Sequence, residues 1–172
     1  MAQFLVTGGS GFIGSHLCRR LLREGHGVRV LDNLSSGKRG NLSDVADDID
    51  FLEADLRDED ALQRGVEGVE YVLHHAAVAS VQTSVEQPLM EQQINSVGTL
   101  RLLEAARQAG VHRVVFAASA AAYGNDPRVP KREDMRPTPE SPYAISKLAG
   151  EYYCGAYNSL YGLETVCLRY FN

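Results

Sequence analysis

Cysteine is scarce in this sequence, and the few cysteines that occur do not form a recognisable pair. Cys18, Cys154 and Cys167 are odd in number and widely spaced, and no two of them make a C-x-x-C motif. This pattern excludes a disulfide framework and favours a reducing compartment. We therefore expect buried, inert thiols and a cytoplasmic protein.

Excess positive charge and long apolar runs are also missing. The 172 residues carry 17 Lys and Arg against 22 Asp and Glu, and the basic residues are scattered. This distribution excludes the basic surface that a nucleic acid or an acidic membrane needs. No apolar run reaches membrane-spanning length, and the opening MAQFLVTGG meets glycine before the apolar part of a signal peptide can form. We expect small-molecule or protein partners, with no nucleic acid and no membrane.

What the sequence does contain is an alternation of short β-rich runs with longer helical stretches. Such alternation is typical of βαβ units, and strands rich in Val, Leu and Phe suit a parallel sheet buried on both faces. We predict an α/β protein with a doubly wound parallel sheet of the Rossmann type, formed by residues 1–172 as one domain. The runs interpreted as strands are QFLVT, GVRVLD, IDFLEAD, YVLHHAA, RVVFAAS and ETVCLRY.

A glycine-rich turn, TGGSGFIG, directly follows the first predicted strand. It fits G-x-G-x-x-G through Gly9, Gly11 and Gly14, and it fits G-x-x-G-x-x-G through Gly8, Gly11 and Gly14. Either spacing allows a tight strand-to-helix turn, access of a pyrophosphate to the helix N-terminus and close packing of helix on strand. The alternative is that the glycines only close the turn. The strand before and the amphipathic helix after favour a dinucleotide site.

Asp32 stands at the end of the second predicted strand, eighteen residues after Gly14. This is the spacing of a carboxylate that accepts hydrogen bonds from an adenosine ribose and repels a 2′-phosphate. The next residue is Asn33, and no arginine follows to hold such a phosphate. The sequence therefore favours NAD over NADP, although Asp32 capping a loop is the alternative.

Tyr143 stands four residues before Lys147 in the stretch SPYAISKLAG. On a helix this spacing places both side chains on one face, about one turn apart. A nearby ammonium favours the phenolate and lowers a tyrosine pKa toward the range useful for acid-base catalysis. The same spacing also occurs by chance on solvated helices, so the pair gains meaning only together with the glycine turn and Asp32.

With these three features the chain resembles the extended short-chain dehydrogenase/reductase family, and within it the nucleotide-sugar epimerases. The resemblance extends over the whole chain. The further motifs that agree are DNLSSGKRGNL, ADL, HHAA, NSVGTLRLLEAA, SAAAYG, SPYAISKLAGE and LRYFN.

The resemblance implies NAD as the cofactor and assigns the residues that contact it. Asp55 and Leu56 are implied to hold the adenine, Ala76 to line the cleft, Lys147 to bond the nicotinamide ribose and Phe171 to lie against the nicotinamide. The implied cofactor contacts are Gly8, Gly11, Phe12, Ile13, Gly14, Asp32, Asn33, Asp55, Leu56, Ala76, Asn95, Tyr143, Lys147 and Phe171.

The resemblance also implies a catalytic triad of Ser119, Tyr143 and Lys147, and it implies that Ser119, Tyr143 and Asn172 contact a UDP-sugar. The implied reaction is epimerisation at C4 of a sugar of the UDP-glucose or UDP-galactose type, through a transient 4-keto sugar. Tyr143 would take the proton of the 4-hydroxyl. Ser119 taken alone has a simpler alternative, which is to cap the turn that follows its strand.

Two departures from the family pattern bear on the reaction. Related dehydratases and decarboxylases carry an acidic residue just after the Ser or Thr, whereas Ala120 and Ala121 follow Ser119 here. Acid-assisted elimination is thus disfavoured, although a dehydratase or decarboxylase remains the alternative enzyme. Gln82 and Thr83 stand where many relatives have Pro-Arg, so the choice of sugar stays open.

Two other candidate sites are weaker. His74 and His75 suggest a metal, but neighbours on a strand point to opposite faces and no third ligand has a usable spacing, so we expect none. Asn95 is implied to lie beside the active site, and a solvent-facing position on its helix is the alternative.

The chain ends at LRYFN, where the family continues into a C-terminal substrate domain. We therefore expect a cofactor-binding portion that binds NAD, lacks useful epimerase activity alone and exposes an apolar patch. The resemblance implies a homodimer for full-length members. A module that binds NAD without catalysis is the non-enzymatic alternative, but such a module has no need of Ser119, Tyr143 and Lys147 together.

Overall fold

The computed structural model describes residues 1–171, in which six parallel strands form one sheet. The strand order is β3-β2-β1-β4-β5-β6, so the direction of winding reverses between β1 and β4. This is the predicted doubly wound sheet, and in such sheets ligands bind at the carboxyl ends of the strands beside the reversal. The strands are β1 Gln3–Thr7, β2 Gly27–Asp32, β3 Ile49–Glu53, β4 Tyr71–His74, β5 Arg113–Ser119 and β6 Glu164–Tyr170.

Helices connect the strands and cover the sheet. They are α1 Phe12–Arg23, α2 Glu59–Val66, α3 Val81–Glu86, α4 Pro88–Gln92, α5 Gly98–Gln108 and α6 Pro142–Tyr161. A π-helical turn, Gln93–Val97, joins α4 to α5, and 3₁₀ turns span Arg39–Asp48 and Ala120–Tyr123. The predicted helix beginning at Asn95 is thus part of a longer segment that begins at Pro88. Among these residues no helix has both the length and the apolar character needed to cross a membrane.

Side chains alternate between the two faces of each strand, which produces two cores. On the face that we call the α6 face, Leu5, Val72 and Phe116 pack under α2, α5 and α6. On the opposite face, which we call the α1 face, Val6 and Val30 pack under α1. The α1 face also includes Val115, Ala117 and Ser119 of β5 and, by register, Val166, Leu168 and Tyr170 of β6.

The predicted burial of the cysteines is confirmed for two of the three. Cys18 and Cys154 are buried, and burial raises the pKa of the Cys18 thiol to about 12. The prediction is wrong for Cys167, which is only partly buried because it lies on β6, the strand at the edge of the sheet.

Candidate active site

The glycine turn is crowded by backbone, which explains why larger residues are absent from it. Gly8 has a left-handed φ of 71°, and a Cβ there would lie 2.7 Å from the amide nitrogen of Ala76. A Cβ on Gly14 would lie 2.2 Å from the carbonyl oxygen of Gly8. A Cβ on Gly11 would lie no closer than 3.2 Å to the same oxygen. Gly8 and Gly14 are therefore required by the fold itself, whereas Gly11 is the glycine with room beside it.

The N-terminus of α1 fits an anion. Gly11 is the N-cap and supplies no capping side chain, and the first turn holds no acidic residue. The free N–H groups of this twelve-residue helix therefore keep their partial positive charge for a ligand. Phe12 and Ile13, in the same turn, expose 80% and 44% of their surface, so both side chains are accessible beside the expected pyrophosphate.

Asp32 is buried at the carboxyl end of β2 and braces two turns at once. Its Oδ2 accepts a 2.8 Å hydrogen bond from the amide of Ser10 in the glycine turn, and its Oδ1 accepts one of 2.8 Å from the amide of Leu34. Asp32 therefore does cap the loop that follows β2, as the alternative interpretation expects. Each carboxylate oxygen has a second lone pair, however, so capping and ribose binding are compatible.

A second acidic group lies next to Asp32. The side-chain amide of Asn33 donates to Asp55 Oδ2 at 2.8 Å. Hydrogen bonding from the Arg57 guanidinium lowers the pKa of Asp55 to about 2, with Asn33 contributing in the same direction. Asp55 is therefore an anion at neutral pH. Leu56 is buried in the core of the α6 face, and its contact with an adenine stays a prediction.

Ala76 closes the opposite side of the glycine turn. Its amide and that of His75 each approach Thr7 Oγ1 at 3.2 Å, at the end of β1. The same hydroxyl is 2.7 Å from Nδ1 of His74, whose Nε2 is 2.9 Å from Thr99 Oγ1. Ala76 is thus held against the cleft by hydrogen bonds that connect β1, β4 and α5.

Asn95 lies inside the π-turn and is only 3% exposed, so the solvent-facing alternative is wrong. Its Oδ1 accepts a hydrogen bond from the amide of Val78 at 2.8 Å, and its Nδ2 donates to the carbonyl of Val78 at 3.0 Å. Both ends of this amide are therefore used to fix the loop that follows Ala76. The side chain shapes the cleft from behind, and direct contact with a cofactor stays a prediction.

Ser119 ends β5, as predicted, and also caps the turn that follows. Its Oγ accepts a hydrogen bond from the amide of Ala121 at 3.1 Å. The capping alternative therefore holds, but it uses the oxygen only as an acceptor. The hydroxyl proton remains available to a substrate oxygen.

Tyr143 and Lys147 lie on the first two turns of α6, which Ser141 caps by accepting a 3.1 Å bond from the amide of Ala144. Tyr143 is half-buried, whereas Lys147 is 5% exposed. The Lys147 ammonium donates to the carbonyl of Ala117 at 2.9 Å, two residues before Ser119. The predicted helical pair and the end of β5 are thus brought to one place.

Burial dominates the electrostatics of Lys147. It lowers the lysine pKa from 10.5 to about 8, and the charge of Glu91 opposes this effect. The ammonium is 5.0 Å from the centroid of the Phe116 ring and uses one of its three protons on the Ala117 carbonyl. Two donors therefore remain for a ligand such as a ribose hydroxyl.

Phe171 lies just beyond β6 and is 63% exposed. Its ring stacks on that of Tyr123 at 6.1 Å, and the guanidinium of Arg169 lies 4.7 Å from the same Tyr123 ring. These residues border a cavity of about 500 Å³ along the edge of β6. Contact between Phe171 and a nicotinamide stays a prediction. Asn172, predicted to contact the substrate diphosphate, lies outside the described residues.

The two histidines have partners other than metals. His74 is bonded to two threonine hydroxyls, and burial lowers its pKa well below the usual range. His75 Nε2 is 3.0 Å from the Tyr170 hydroxyl, and the two rings are stacked. Across residues 1–171 there is no cluster of three or more His, Cys, Asp or Glu side chains suited to a metal ion.

Sequence reasoning missed a buried polar cluster beside Tyr143. Glu91 is fully buried and accepts hydrogen bonds from Gln92, Asn95 and Ser146. Glu91 stands four residues before Asn95, the spacing of one helical face. This spacing was the available signal, but a single glutamate in a polar stretch does not reveal that it is buried.

Comparison with known proteins agrees with this geometry. Residues 4–172 match the sequence model of the NAD dependent epimerase/dehydratase family. A UDP-glucose 4-epimerase from Mycolicibacterium smegmatis is 48% identical over 164 residues, which are 93% of this chain and 52% of that protein.

Two solved structures are similar throughout the chain. One is a UDP-N-acetylglucosamine 4-epimerase from Methanobrevibacter ruminantium in complex with UDP-N-acetylmuramic acid, with a TM-score of 0.95 and 40% sequence identity. The matched region is 99% of this chain and 55% of that chain. The other is a Thermus thermophilus UDP-glucose 4-epimerase complexed with NAD, with a TM-score of 0.90 and 46% sequence identity. The matched region is 98% of this chain and 54% of that chain.

The chain spans about half the length of the curated relatives it matches. Within that half, the glycine turn, the carboxylate that ends β2 and the Tyr-Lys pair occur together on a doubly wound sheet. With the match to the family over residues 4–172, these features show that the chain belongs to the NAD-dependent epimerase/dehydratase family.

Proposed function

We propose that residues 1–172 are the NAD-binding and catalytic domain of an enzyme that epimerises C4 of a UDP-sugar of the UDP-glucose or UDP-galactose type. The observation that carries the proposal is the position of Lys147. Its ammonium bonds the carbonyl of Ala117, which places the Tyr-Lys helix against the strand that ends in Ser119. Residues of the three types needed for proton transfer from a sugar hydroxyl therefore lie on β5 and on the helix packed against it, near the carboxyl end of the strand.

The cleft fits the adenosine diphosphate portion of NAD. The crowded glycines leave only backbone at the turn, the uncapped N-terminus of α1 suits the pyrophosphate, and Asp32 has free lone pairs for ribose hydroxyls. Asn33 and Asp55 lie beside Asp32 at the expected adenine end. When bound, NAD supplies the acceptor and donor of a hydride.

The protein residues would carry the proton and hold the sugar. Tyr143 would accept the proton of the 4-hydroxyl and later return it. Lys147 would favour the phenolate by its charge, and Ser119 would donate a hydrogen bond from its hydroxyl to the same sugar oxygen while keeping its proton. Because Ala120 and Ala121 follow Ser119, no acid from this turn is placed to drive elimination, which supports epimerisation over dehydration.

The relatives support the same assignment. The M. smegmatis protein is a UDP-glucose 4-epimerase, and the T. thermophilus structure holds NAD. The M. ruminantium enzyme is named for an N-acetylated sugar, so the choice of sugar remains part of the proposal. A homodimer of the whole protein also stays a prediction, which sedimentation of a longer chain would test.

Calorimetry on the 172-residue chain tests the cofactor part. NAD should bind at least about ten times more tightly than NADP, because the Asp32 carboxylate repels a 2′-phosphate. Asp32→Asn keeps a similar side-chain shape and removes the negative charge that repels the 2′-phosphate, so it should reduce the preference for NAD over NADP. Equal affinities of the unaltered chain for NAD and NADP would contradict the cofactor assignment.

A fusion protein tests the reaction. The chain is joined to the remaining half of the M. smegmatis relative, and conversion of UDP-galactose to UDP-glucose is measured. Tyr143→Phe should abolish turnover and leave NAD bound, because only the phenol oxygen is lost. Tyr152→Phe is the matched control, since Tyr152 lies on the same helix and is 65% exposed. Turnover by the Tyr143→Phe fusion close to that of the control would exclude the proposed role.

A further inference from the structure

Glu91 is a buried carboxylate for which the proposed chemistry has no use. It lies at the fourth position of α4, is 0% exposed and takes part in no ion pair within 4 Å among residues 1–171. Burying an ionised carboxylate is costly unless hydrogen bonds and a counter-charge compensate. The surroundings of Glu91 must therefore supply both.

The hydrogen bonds come from three donors. Gln92 Nε2 donates to Oε2 at 2.8 Å, Ser146 Oγ donates to Oε1 at 2.5 Å, and Asn95 Nδ2 also donates to Oε1. All three partners have protons to give, so the site fits a group that only accepts, which is the carboxylate form. A glutamine at this position would turn an NH₂ group against another donor.

The same donors hold α6 on both sides of Tyr143. Gln92 Nε2 also donates to the carbonyl of Pro142 at 2.9 Å, and Ser146 Oγ also lies 2.9 Å from the carbonyl of Tyr143. Ser96 Oγ donates to Gln92 Oε1 at 2.7 Å and so fixes the orientation of that amide. The carboxylate is thus the centre of a hydrogen-bonded cluster that contacts the first two turns of α6.

The counter-charge is Lys147, the residue after Ser146 in the sequence. Glu91 and Lys147 are both buried. Glu91 accepts a hydrogen bond from Ser146, the residue next to Lys147, while the Lys147 ammonium itself lies on the Ala117 carbonyl of β5. The charge of Glu91 raises the pKa of Lys147 and so opposes the effect of burial.

The other titratable groups facing Lys147 are Tyr143 on its own helix, and His74 and His75 at the end of β4. Burial keeps both histidines neutral near pH 7, and the carboxylate of Glu151, one turn along α6, is paired with Arg169 at 2.7 Å. Among residues 1–171, Glu91 is therefore the unpaired anion whose charge acts on Lys147.

We propose that Glu91 is a positioning residue that keeps Lys147 protonated and holds the turns of α6 on either side of Tyr143. It does not touch the reacting atoms. It acts on the Tyr-Lys pair from behind, through charge and through Ser146 and Gln92. That Glu91 positions catalytic residues rests on the proposed function, whereas its effect on the charge of Lys147 does not.

The test is a titration of Lys147 in the 172-residue chain by ¹³C NMR of protein labelled at lysine Cε. The chain has only three lysines, Lys38, Lys131 and Lys147. Lys38→Arg and Lys131→Arg identify the other two signals and so assign the third by elimination. No substrate, cofactor or turnover is needed, so this result is independent of whether the epimerase proposal succeeds.

Lys147 should titrate near pH 8 in the unaltered protein, and in Glu91→Gln its midpoint should fall by about one pH unit or more, a tenfold gain in acidity. Glu104→Gln is the control, because it also removes one carboxylate, which pairs with Arg107 on α5 at 2.6 Å and accepts a hydrogen bond from α6 at Tyr157, far along the helix from Lys147. That control should leave the midpoint unchanged. An unchanged midpoint in folded Glu91→Gln would overturn the proposal.

Glu91→Asp keeps the test decisive if the glutamine variant does not fold. The shorter side chain retains the charge, so Lys147 should titrate within about half a pH unit of the unaltered protein. A midpoint that falls by one unit or more while the charge is present would contradict the assignment.

Discussion

On the α1 face of the sheet, Val30 in β2 is completely buried, whereas Val166 in β6 is 40% exposed. The strands β1, β2 and β3 form what we call the nucleotide half, in which α1 packs on one face of β1 and β2 and α2 packs on the other face of β2. In β5 and β6, the main part of the catalytic half, α6 covers one face, while Val166 and Leu168 remain exposed on the other. Among residues 1–171, helices therefore cover both faces of the sheet beside the expected adenosine site, whereas β5 and β6, which lead to the catalytic residues, are covered by a helix on one face.

The largest expected difference comes from adding one methyl group to each half. Gly14→Ala places a Cβ 2.2 Å from the Gly8 carbonyl oxygen, so it should cost more than about 3 kcal/mol of unfolding free energy and abolish NAD binding. Gly155→Ala in α6 meets nothing within 4 Å and should stabilise the protein by about 0.5 to 1 kcal/mol. Urea unfolding measures the stability of the two variants, and calorimetry measures their NAD binding. Similar effects of Gly14→Ala and Gly155→Ala would contradict the difference between the two halves.

The next prediction concerns charge, because the catalytic half buries a cation. Burial lowers the pKa of Lys147 to about 8 in the folded state, and in the unfolded chain it returns to about 10.5. Between these values the unfolded chain binds more protons, so stability rises with pH. Relative to Lys147→Met, the unaltered protein should gain about 3 kcal/mol from pH 7 to 10.5, at about 1.4 kcal/mol per pH unit.

Urea midpoints of both proteins at the two pH values provide this measurement. Lys38→Met is the control, because Lys38 is exposed and its removal should leave the pH dependence unaltered. A gap between unaltered protein and Lys147→Met that stays constant with pH would show that the ammonium is better solvated than its burial indicates.

A matched pair of valines tests the two halves most directly. Val30→Ala and Val166→Ala delete the same atoms on the same face of the sheet. Val30→Ala should lower the free energy of unfolding by about 2 kcal/mol, because it removes buried apolar surface and leaves a cavity. Val166→Ala should lower it by less than about 0.5 kcal/mol. Equal losses in thermal or urea unfolding would mean that the α1 face of β6 is covered in solution.

The smallest effect on stability is expected at Leu168, which is also 40% exposed on this face. Leu168→Lys should change unfolding by no more than about 0.5 kcal/mol but should reduce self-association, because it places a charge in the apolar patch. Sedimentation velocity over a range of concentrations measures this. Leu160→Lys, at an exposed position near the end of α6, is the control that should leave association unchanged.

Local sequence patterns predicted most of the sheet. QFLVT, GVRVLD, RVVFAAS and ETVCLRY coincide with β1, β2, β5 and β6, because alternating apolar runs bounded by turns depend little on distant contacts. The glycine turn, Asp32 and the Tyr-Lys pair were likewise visible, since each is a short-range spacing. What they bind or catalyse in this chain stays a prediction.

Long-range contacts were not predictable in the same way. Glu91 looks like a surface residue in the sequence, and only its packing against Ser146, 55 residues later, makes it a buried acceptor. The solvent-facing alternative for Asn95 is excluded only by its burial and by its partner Val78, on a separate loop. The exposure of Cys167 depends on β6 being the edge strand, which the strand order determines.

The π-turn at Gln93–Val97 is a position at which the α4–α5 segment can lose one residue and keep its helical register. The amide of Gly98 bonds the carbonyl of Gln93, five residues back, so this turn holds one residue more than an α-helical turn. Deleting one residue here would allow a regular helix with no backbone bond lost. The segments on either side would keep nearly the same relative orientation, because the turn already contains one residue more than an α-helical turn needs. A deletion in the regular part of α5 would instead rotate everything before it by about 100° and remove Glu91 from its cluster.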